Sequence, residues 1–313
     1  MMKYIDLDGK KLSGLTLGTV QLGMNYGIAN HDGKPDETKS FAILRAALEN
    51  GVTSLDTARG YGDSEEVIGR FLKTWKGDPP FIATKIPKLQ GDTPVELEKF
   101  ALNSIETSLQ NLGLSKVNTV MLHSAGDIAL HGAAAEHAMR SVLNHGYTDQ
   151  VGVSVYTAAE VEEMLKYDIY SVTQLPMSIF DQRLIANHTL EKLSSRNYTV
   201  FVRSVFLQGL FFLNPDTVED PILVEHAVPK IRLLQEIAHR EGLTVAQLAI
   251  AFMRDCGGIS SLVLGADTSE QVLNNIACFD TPPLNSDTLS RLKADFSDVD
   301  IPEIMKVLSR PKQ

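Results

Sequence analysis

The sequence predicts an α/β fold: a (β/α)8 barrel with an N-terminal β-hairpin and C-terminal helices. Three observations predict it. Short apolar runs alternate eight times with amphipathic segments of helical period, which implies a parallel sheet with helices outside it. Titratable residues recur at the C-terminal ends of successive runs, where parallel barrels gather their chemistry. No Gly-x-Gly-x-x-Gly turn follows a run, which argues against an open doubly wound sheet.

The elements follow in order. Tyr4-Ile5 and Lys10-Lys11-Leu12 flank Asp8-Gly9 and read as a hairpin with a tight turn. Leu15–Leu17 is the first barrel strand. Residues 37–50 form its helix, with Phe41, Leu44 and Leu48 on one face and Gly51 as its stop. Val52–Leu55 is the next strand. A helix from Ser64 places Ile68, Phe71, Leu72 and Trp75 on one side. Then come strand 81–86 with helix 94–112, strand 117–122 with helix 133–145, and strand 149–154 with helix 158–167. Strand 171–174 precedes helix 184–195, and strand 199–204 precedes a helical region near 227–255. Strand 261–264 leads into helix 269–278, and residues 287–310 read as two short outer helices. Thr157-Ala158-Ala159-Glu160 and Thr268-Ser269-Glu270-Gln271 fit capping boxes. The second would present free backbone N–H groups at the barrel mouth, either as an ordinary capped helix or as a phosphate site.

Composition limits the function. At 313 residues and 34.3 kDa, residues 1–313 fit a single barrel domain, and no linker, charge block or low-complexity segment divides them. A hydrophobic content of 43% with 22% charged residues describes an ordinary soluble globular protein. The net charge of −10 argues against nucleic-acid and anionic-membrane partners, because phosphate binding needs a cationic face. The N-terminus turns acidic too early for a signal peptide, and no apolar run approaches the roughly 20 residues of a membrane span, so a cytoplasmic location is expected. Cys256 and Cys278 lack metal-ligand spacing and the histidines form no cluster, so no metal is expected. Nothing in the sequence speaks to oligomeric state.

The chemistry concentrates in residues 51–70. The strand Val52–Leu55 runs into Asp56, and a short loop carries Tyr61 between Gly60 and Gly62. Strand 81–86 carries Lys85 near its end, and strand 117–122 is followed by His123. Singly, each has an ordinary explanation: a turn former, a solvated lysine, a satisfied histidine. Four titratable groups at equivalent points of three consecutive βα units point instead to a site.

At these residues the chain resembles the aldo-keto reductase family. The likeness is nearly continuous over residues 51–70, includes Lys85 and His123, and extends from Leu17-Gly18-Thr19 to about Asn275. It implies a carbonyl–alcohol oxidoreductase using NADP or NAD, acting on a small carbonyl or sugar. Tyr61 would be the general acid/base, Lys85 would lower its pKa, Asp56 would hold Lys85, and His123 would orient the carbonyl. The cofactor would lie across the strand ends. Gly18 and Thr19 would stand near its pyrophosphate, with Ser154 and Gln174 at its nicotinamide amide and Asp56 and Arg203 also among the cofactor-binding residues. Ser204, Phe206, Leu207 and Gly209 would form the loop over it, and Gly265, Asp267, Gln271, Asn274 and Asn275 would surround the adenosine end.

The chain also departs from the family. Val155 stands where an asparagine is usual, and Arg203 where an aromatic residue commonly stacks on the nicotinamide. Asp267 and Gln271 occupy the stretch where basic residues often grip a 2′-phosphate, which tilts the expectation toward NAD(H). Met24, Tyr26, Phe180 and Phe206 are candidates for the substrate pocket. Two other readings stay open: a low-turnover cofactor-binding sensor or regulatory barrel, and a lyase or epimerase that uses tightly bound cofactor for internal redox.

Overall fold

The computed structural model of the protein describes residues 2–7, 9–30 and 32–310. Strands β1 (Tyr4–Leu7) and β2 (Lys10–Ser13) pair antiparallel, Tyr4 opposite Ser13 and Leu7 opposite Lys10. Gly9 turns the chain at φ +81°, a left-handed conformation that glycine adopts without a Cβ clash. Asp8, the other residue of the expected turn, lies outside the described residues.

Among the described residues, eight parallel strands then close into a barrel. They are β3 (Leu15–Gly18), β4 (Ser54–Asp56), β5 (Phe81–Ile86), β6 (Val117–Leu122), β7 (Thr148–Ser154), β8 (Tyr170–Pro176), β9 (Thr199–Arg203) and β10 (Ser261–Gly265). β10 closes the ring between β9 and β3, with Gly265 beside Gly18. The strands fall where the apolar runs put them, within a residue or two. Asp56 is the last residue of β4 rather than the first of the loop.

Strand parity positions the site. Side chains of a strand alternate between its two faces. In β5, Phe81 and Ala83 pack inside the barrel with Met121, Val172, Phe201 and Val263, whereas Ile82 and Ile86 pack outward among the helices. Lys85 continues the inward series. So do His123 after Met121, Gln174 after Val172, Arg203 after Phe201, and Gly265 after Val263. One alternation thus fills the barrel's base with apolar groups and delivers polar ones to its C-terminal rim. Leu12 of β2 joins the inner cluster, so the hairpin closes the opposite end. Between the two, Thr16 Oγ1 lies 2.7 Å from both Ser54 Oγ and Ser261 Oγ, so these buried hydroxyls satisfy one another.

The outer helices follow the sequence pattern with instructive exceptions. The expected helix 184–195 is two pieces, Arg183–Ala186 and Thr189–Ser195, because His188 is left-handed at φ +58° and breaks the α-turn. The region near 227–255 divides at Gly242, φ +66°, into Val228–Arg240 and Val245–Arg254; Thr244 and Gln247 cap the second piece. Short helices at Val20–Gly23, Gly126–His131 and Pro221–His226 carry too few residues to show a period. Thr157 and Glu160 form the expected capping box. At Thr268 only half of the box forms. Its hydroxyl accepts from the Gln271 amide, but the Gln271 side chain turns to the Asp267 N–H, 2.7 Å away. No helix of the described residues is long and apolar enough to cross a membrane.

Gly69 gives a test of the packing. It lies in helix Ser64–Thr74, where a Cβ would stand 2.1 Å from the Asn111 carbonyl oxygen and 2.9 Å from the Leu112 carbonyl carbon. In an open helix, Gly→Ala stabilises by about 1 kcal/mol. Here the helix must shift away from Pro94–Leu112, and such overpacking costs roughly 1–3 kcal/mol. Gly69→Ala is therefore expected to lower the urea midpoint. A midpoint equal to or above that of the parent would show that the two helices separate freely.

Candidate active site

Asp56 and Lys85 form a buried ion pair at the rim, 3% and 1% exposed. Lys85 Nζ donates to Asp56 Oδ1 at 2.7 Å and to the Thr57 carbonyl oxygen at 2.9 Å. Gln174 Nε2 donates to the same Oδ1, also at 2.7 Å. A buried pair is tolerable only when further hydrogen bonds support it, and the Thr57 carbonyl and the Gln174 amide each supply one. The Asp56 carbonyl oxygen in turn accepts from the Thr19 amide at 3.0 Å and the Thr19 hydroxyl at 2.9 Å, tying the end of β3 to β4.

Tyr61 is brought over this pair by its loop. A Cβ on Gly62 would lie 2.2 Å from the Gly23 carbonyl oxygen, and one on Gly23 would lie 1.7 Å from the Tyr61 carbonyl oxygen. Two backbones pass in contact there, which only glycine at both positions allows. Lys85 Nζ consequently lies 5.0 Å from the Tyr61 ring centroid, and the Tyr61 and His123 rings meet edge to face at 5.6 Å. The four residues expected to act together are brought together.

Their electrostatics combine burial with the charges at the rim. Burial and then the Asp56 carboxylate hold the Tyr61 phenol well above its ordinary pKa, and the cation opposing them is Arg203. Lys85, the cation expected to act on Tyr61, is paired with Asp56 beneath the ring. Burial lowers the Lys85 pKa, and Asp56 works against that. Tyr61 is thus a fully protonated hydroxyl at neutral pH. Burial, Lys85 and Arg203 push His123 down to about 4, leaving a neutral imidazole with one donor and one acceptor.

The His123 shift has a measurable sign. Its folded pKa lies below the ordinary 6.5, so the unfolded chain binds more protons between the two values. The contribution of His123 to stability is complete above pH 6.5 and falls as pH drops from there through about 4. The His123 ring proton shifts in an NMR titration are expected to stay flat from pH 8 to roughly 5. A midpoint near 6.5 would contradict the half-buried, cation-flanked site.

A cavity of about 930 Å³ opens beside Tyr61 and runs along the rim to Asn274 and Asn275. Of the residues the resemblance assigned to a cofactor, Gly18, Thr19, Asp56, Gln174, Arg203, Ser204, Phe206, Gly209, Gly265, Asp267, Gln271, Asn274 and Asn275 line it. Ser154 and Leu207 do not. Ser154 is buried at the end of β7, and Leu207 turns into the core while Gln208 takes the lining position. Lys85 and His123 flank Tyr61 without lining the cavity. Of the substrate-pocket candidates, Tyr26 and Phe206 line it. Met24 is exposed, and Phe180 is core, stacked on Phe296 at 5.2 Å.

Several lining residues carry no sequence signal. The loop after β3 crosses the cavity, with the Ile28 amide on the Gln208 carbonyl oxygen at 2.8 Å and Asn30 Nδ2 on Asp267 Oδ1 at 2.9 Å. Gln21 Oε1 is buried with no hydrogen-bond partner among the described residues. A Cβ on Gly265 would meet the Gln21 amide nitrogen at 2.2 Å. Ser204, Leu207 and Gln208 hold positive φ values of 64°, 45° and 57°; non-glycine residues rarely adopt these, and they concentrate at binding loops.

Comparison with known proteins gives a consistent picture. The profile described as "Aldo/keto reductase family" matches residues 14–294. An L-glyceraldehyde 3-phosphate reductase of Escherichia coli O157:H7 is 23% identical, covering 95% of this chain and 92% of that protein. A protein described as "Probable voltage-gated potassium channel subunit beta" from Oryza sativa subsp. japonica is 25% identical, with 87% and 90% covered. The structure of a glycerol dehydrogenase from Gluconobacter oxydans superposes with a TM-score of 0.75 at 21% identity, covering 100% of this chain and 97% of that one.

Proposed function

We propose, from the premise that this chain belongs to the aldo/keto reductase family, that it interconverts a carbonyl and an alcohol with a nicotinamide cofactor. The observation that carries this reading is the buried Asp56–Lys85 pair directly beneath the Tyr61–His123 contact, at the mouth of the rim cavity.

The lining suits a dinucleotide. Gly209, at φ +92°, lets its loop close against Ala29, where a Cβ would lie 2.9 Å from the Ala29 Cβ, and so shapes the cavity's edge. Gln21 Oε1 and Arg203 Nη2 are buried polar atoms with no partner among the described residues, and both residues line the cavity. The first turn of helix Ser269–Cys278 opens at the Gly265–Asn275 end, where its amides and dipole favour an anionic group. When bound, the reduced nicotinamide would supply a hydride to the carbonyl carbon.

The protein's own groups handle the proton. The Tyr61 hydroxyl, protonated at neutral pH, donates to the substrate oxygen as that oxygen gains negative charge. The Lys85 ammonium, held by Asp56 and the Thr57 carbonyl, stabilises the tyrosinate left behind. Neutral His123 donates an N–H to the same oxygen and fixes its approach. Turnover with aldehydes, ketones and sugars, followed by loss of reduced-nicotinamide absorbance, tests the reading. A protein that binds cofactor and consumes none of it with any of these would favour a sensor or an internal-redox enzyme.

Asp267 supports NAD(H) over NADP(H). It stands at the far end of the cavity, where a carboxylate repels a 2′-phosphate and accepts hydrogen bonds from a ribose. NADH is expected to bind at least about tenfold more tightly than NADPH in calorimetric titration, the effect of one charge pair at roughly 1.4 kcal/mol. Tighter NADPH would show that Asn30, bonded to the Asp267 carboxylate, removes it from the cofactor's path.

A further inference from the structure

Arg203 is a cation fixed at the rim. Its guanidinium carbon lies 4.3 Å from the centroid of the Tyr156 ring. Nη1 donates to Ser204 Oγ at 3.3 Å, and Nη2 is enclosed, with no hydrogen-bond partner among the described residues. These contacts close the guanidinium fork to a second anion and hold the charge in place. Lys85, the other rim cation, is paired with Asp56, whereas no ion pair among the described residues includes Arg203. The Arg203 side chain is half-buried and lines the cavity with Tyr61, Gln174 and Ser204. Its charge acts on Tyr26, Tyr61 and His123.

In carbonyl reduction the proton and the hydride go to adjacent atoms of one carbonyl. Tyr61 delivers the proton, so the nicotinamide ring has to reach the carbon next to the oxygen that Tyr61 serves, and reacting atoms approach to about 3–3.5 Å. That requirement puts the ring in the field of Arg203. The reduced ring is neutral, and the oxidised ring carries a positive charge. Two like charges in a partly desolvated site repel. Asp56 is already engaged by Lys85 at 2.7 Å, and His123 is neutral, so neither of these cancels the guanidinium. We propose that Arg203 selects the redox form of the cofactor: it disfavours the oxidised nicotinamide, so that the protein loads the reduced form from a mixed pool. An aromatic side chain in its place would act in the opposite sense, because the face of an aromatic ring attracts a cation. This inference rests on the nicotinamide reading of the cavity. The phosphates and riboses are the same in both redox forms, so the ratio of the two affinities isolates the effect on the ring.

The test is calorimetric titration with NAD+, NADH and ADP-ribose, the last of which keeps the phosphates and lacks the ring. The 2′-phosphorylated forms of all three are used if the parent binds those more tightly. The proteins are the parent, Arg203→Met, which keeps a long side chain on Tyr156, and Arg203→Lys, which keeps the charge. Arg203→Gln supplies the neutral arm if Arg203→Met does not fold. The parent is expected to bind the reduced form at least about tenfold more tightly than the oxidised one, within the reach of a single unit charge near a protein surface. Arg203→Met should lower that ratio by about tenfold, through tighter binding of the oxidised form, and Arg203→Lys should keep part of it. ADP-ribose affinity should stay close to the parent's in both. A parent that binds the two redox forms alike, or a ratio that Arg203→Met leaves unchanged, overturns the proposal. So does equal weakening of all three ligands, which would make Arg203 an anchor for the phosphates or for its loop.

Consumption of reduced cofactor with aldehydes, ketones and sugars, assayed alongside, separates this inference from the oxidoreductase reading. If the binding ratio behaves as expected but no carbonyl is turned over, the redox selection stands and the oxidoreductase reading falls. If carbonyls are turned over and Arg203→Met leaves the ratio unchanged, the reverse holds. If neither redox form binds, both fall.

Discussion

Tyr61→Phe is expected to lower kcat by at least about a hundredfold, the lower end of general acid–base contributions, with cofactor affinity retained. The substitution removes one oxygen. The ring keeps its place 5.0 Å from Lys85 Nζ and its edge contact with His123, so the loop between Gly60 and Gly62 has no reason to move. What disappears is the protonated hydroxyl, the group whose pKa burial and Asp56 hold high and Arg203 pulls back down. Single-turnover measurement with saturating cofactor isolates the chemical step from product release. Near-normal turnover would remove Tyr61 from the mechanism and leave His123 as the proton donor to test next.

Lys85→Met is expected to abolish measurable turnover and also to destabilise the fold by roughly 3–5 kcal/mol, the cost of leaving one member of a buried pair alone. The lysine side chain is 0% exposed and that of Asp56 4%, so solvent cannot replace the lost partner. Gln174 would still donate to the carboxylate, which places the loss toward the lower end. The double variant Lys85→Met with Asp56→Leu should recover part of the stability and none of the activity, because it removes the stranded charge and not the need for it. Chemical denaturation of the four proteins gives this coupling. A double variant as unstable as the sum of the singles would mean that the pair is not coupled, in conflict with a 2.7 Å contact.

The barrel was legible because its signal is repeated. Eight apolar runs, each followed by a helical period, leave few alternatives, and the inward parity that ends in Lys85, His123, Gln174 and Arg203 is a property of the strands themselves. The four-residue cluster was legible for the same reason: three of its members sit on or just beyond strand ends, and Tyr61 lies in a loop whose glycines mark a close approach. What escaped were contacts between distant segments. Asn30 meets Asp267 across 237 residues, and nothing local to either position announces it. Leu207 was assigned to the cavity and Gln208 was not, because their left-handed backbones exchange inside and outside at that turn. Ser154 reaches the rim but stays buried beneath it. That Arg203 stands close enough to act on Tyr61 also escaped, since only the folded geometry brings the end of β9 beside that loop.

The most direct test of the central claim follows the hydride itself. The protein is mixed with reduced cofactor carrying deuterium at the transferable position and with the best carbonyl substrate found, and the alcohol product is weighed by mass spectrometry. The account predicts one deuterium on the carbinol carbon from the parent protein, and a rate at least about a hundredfold lower from Tyr61→Phe. Product without label, or a protein that binds the cofactor and transfers nothing to any carbonyl offered, would contradict it.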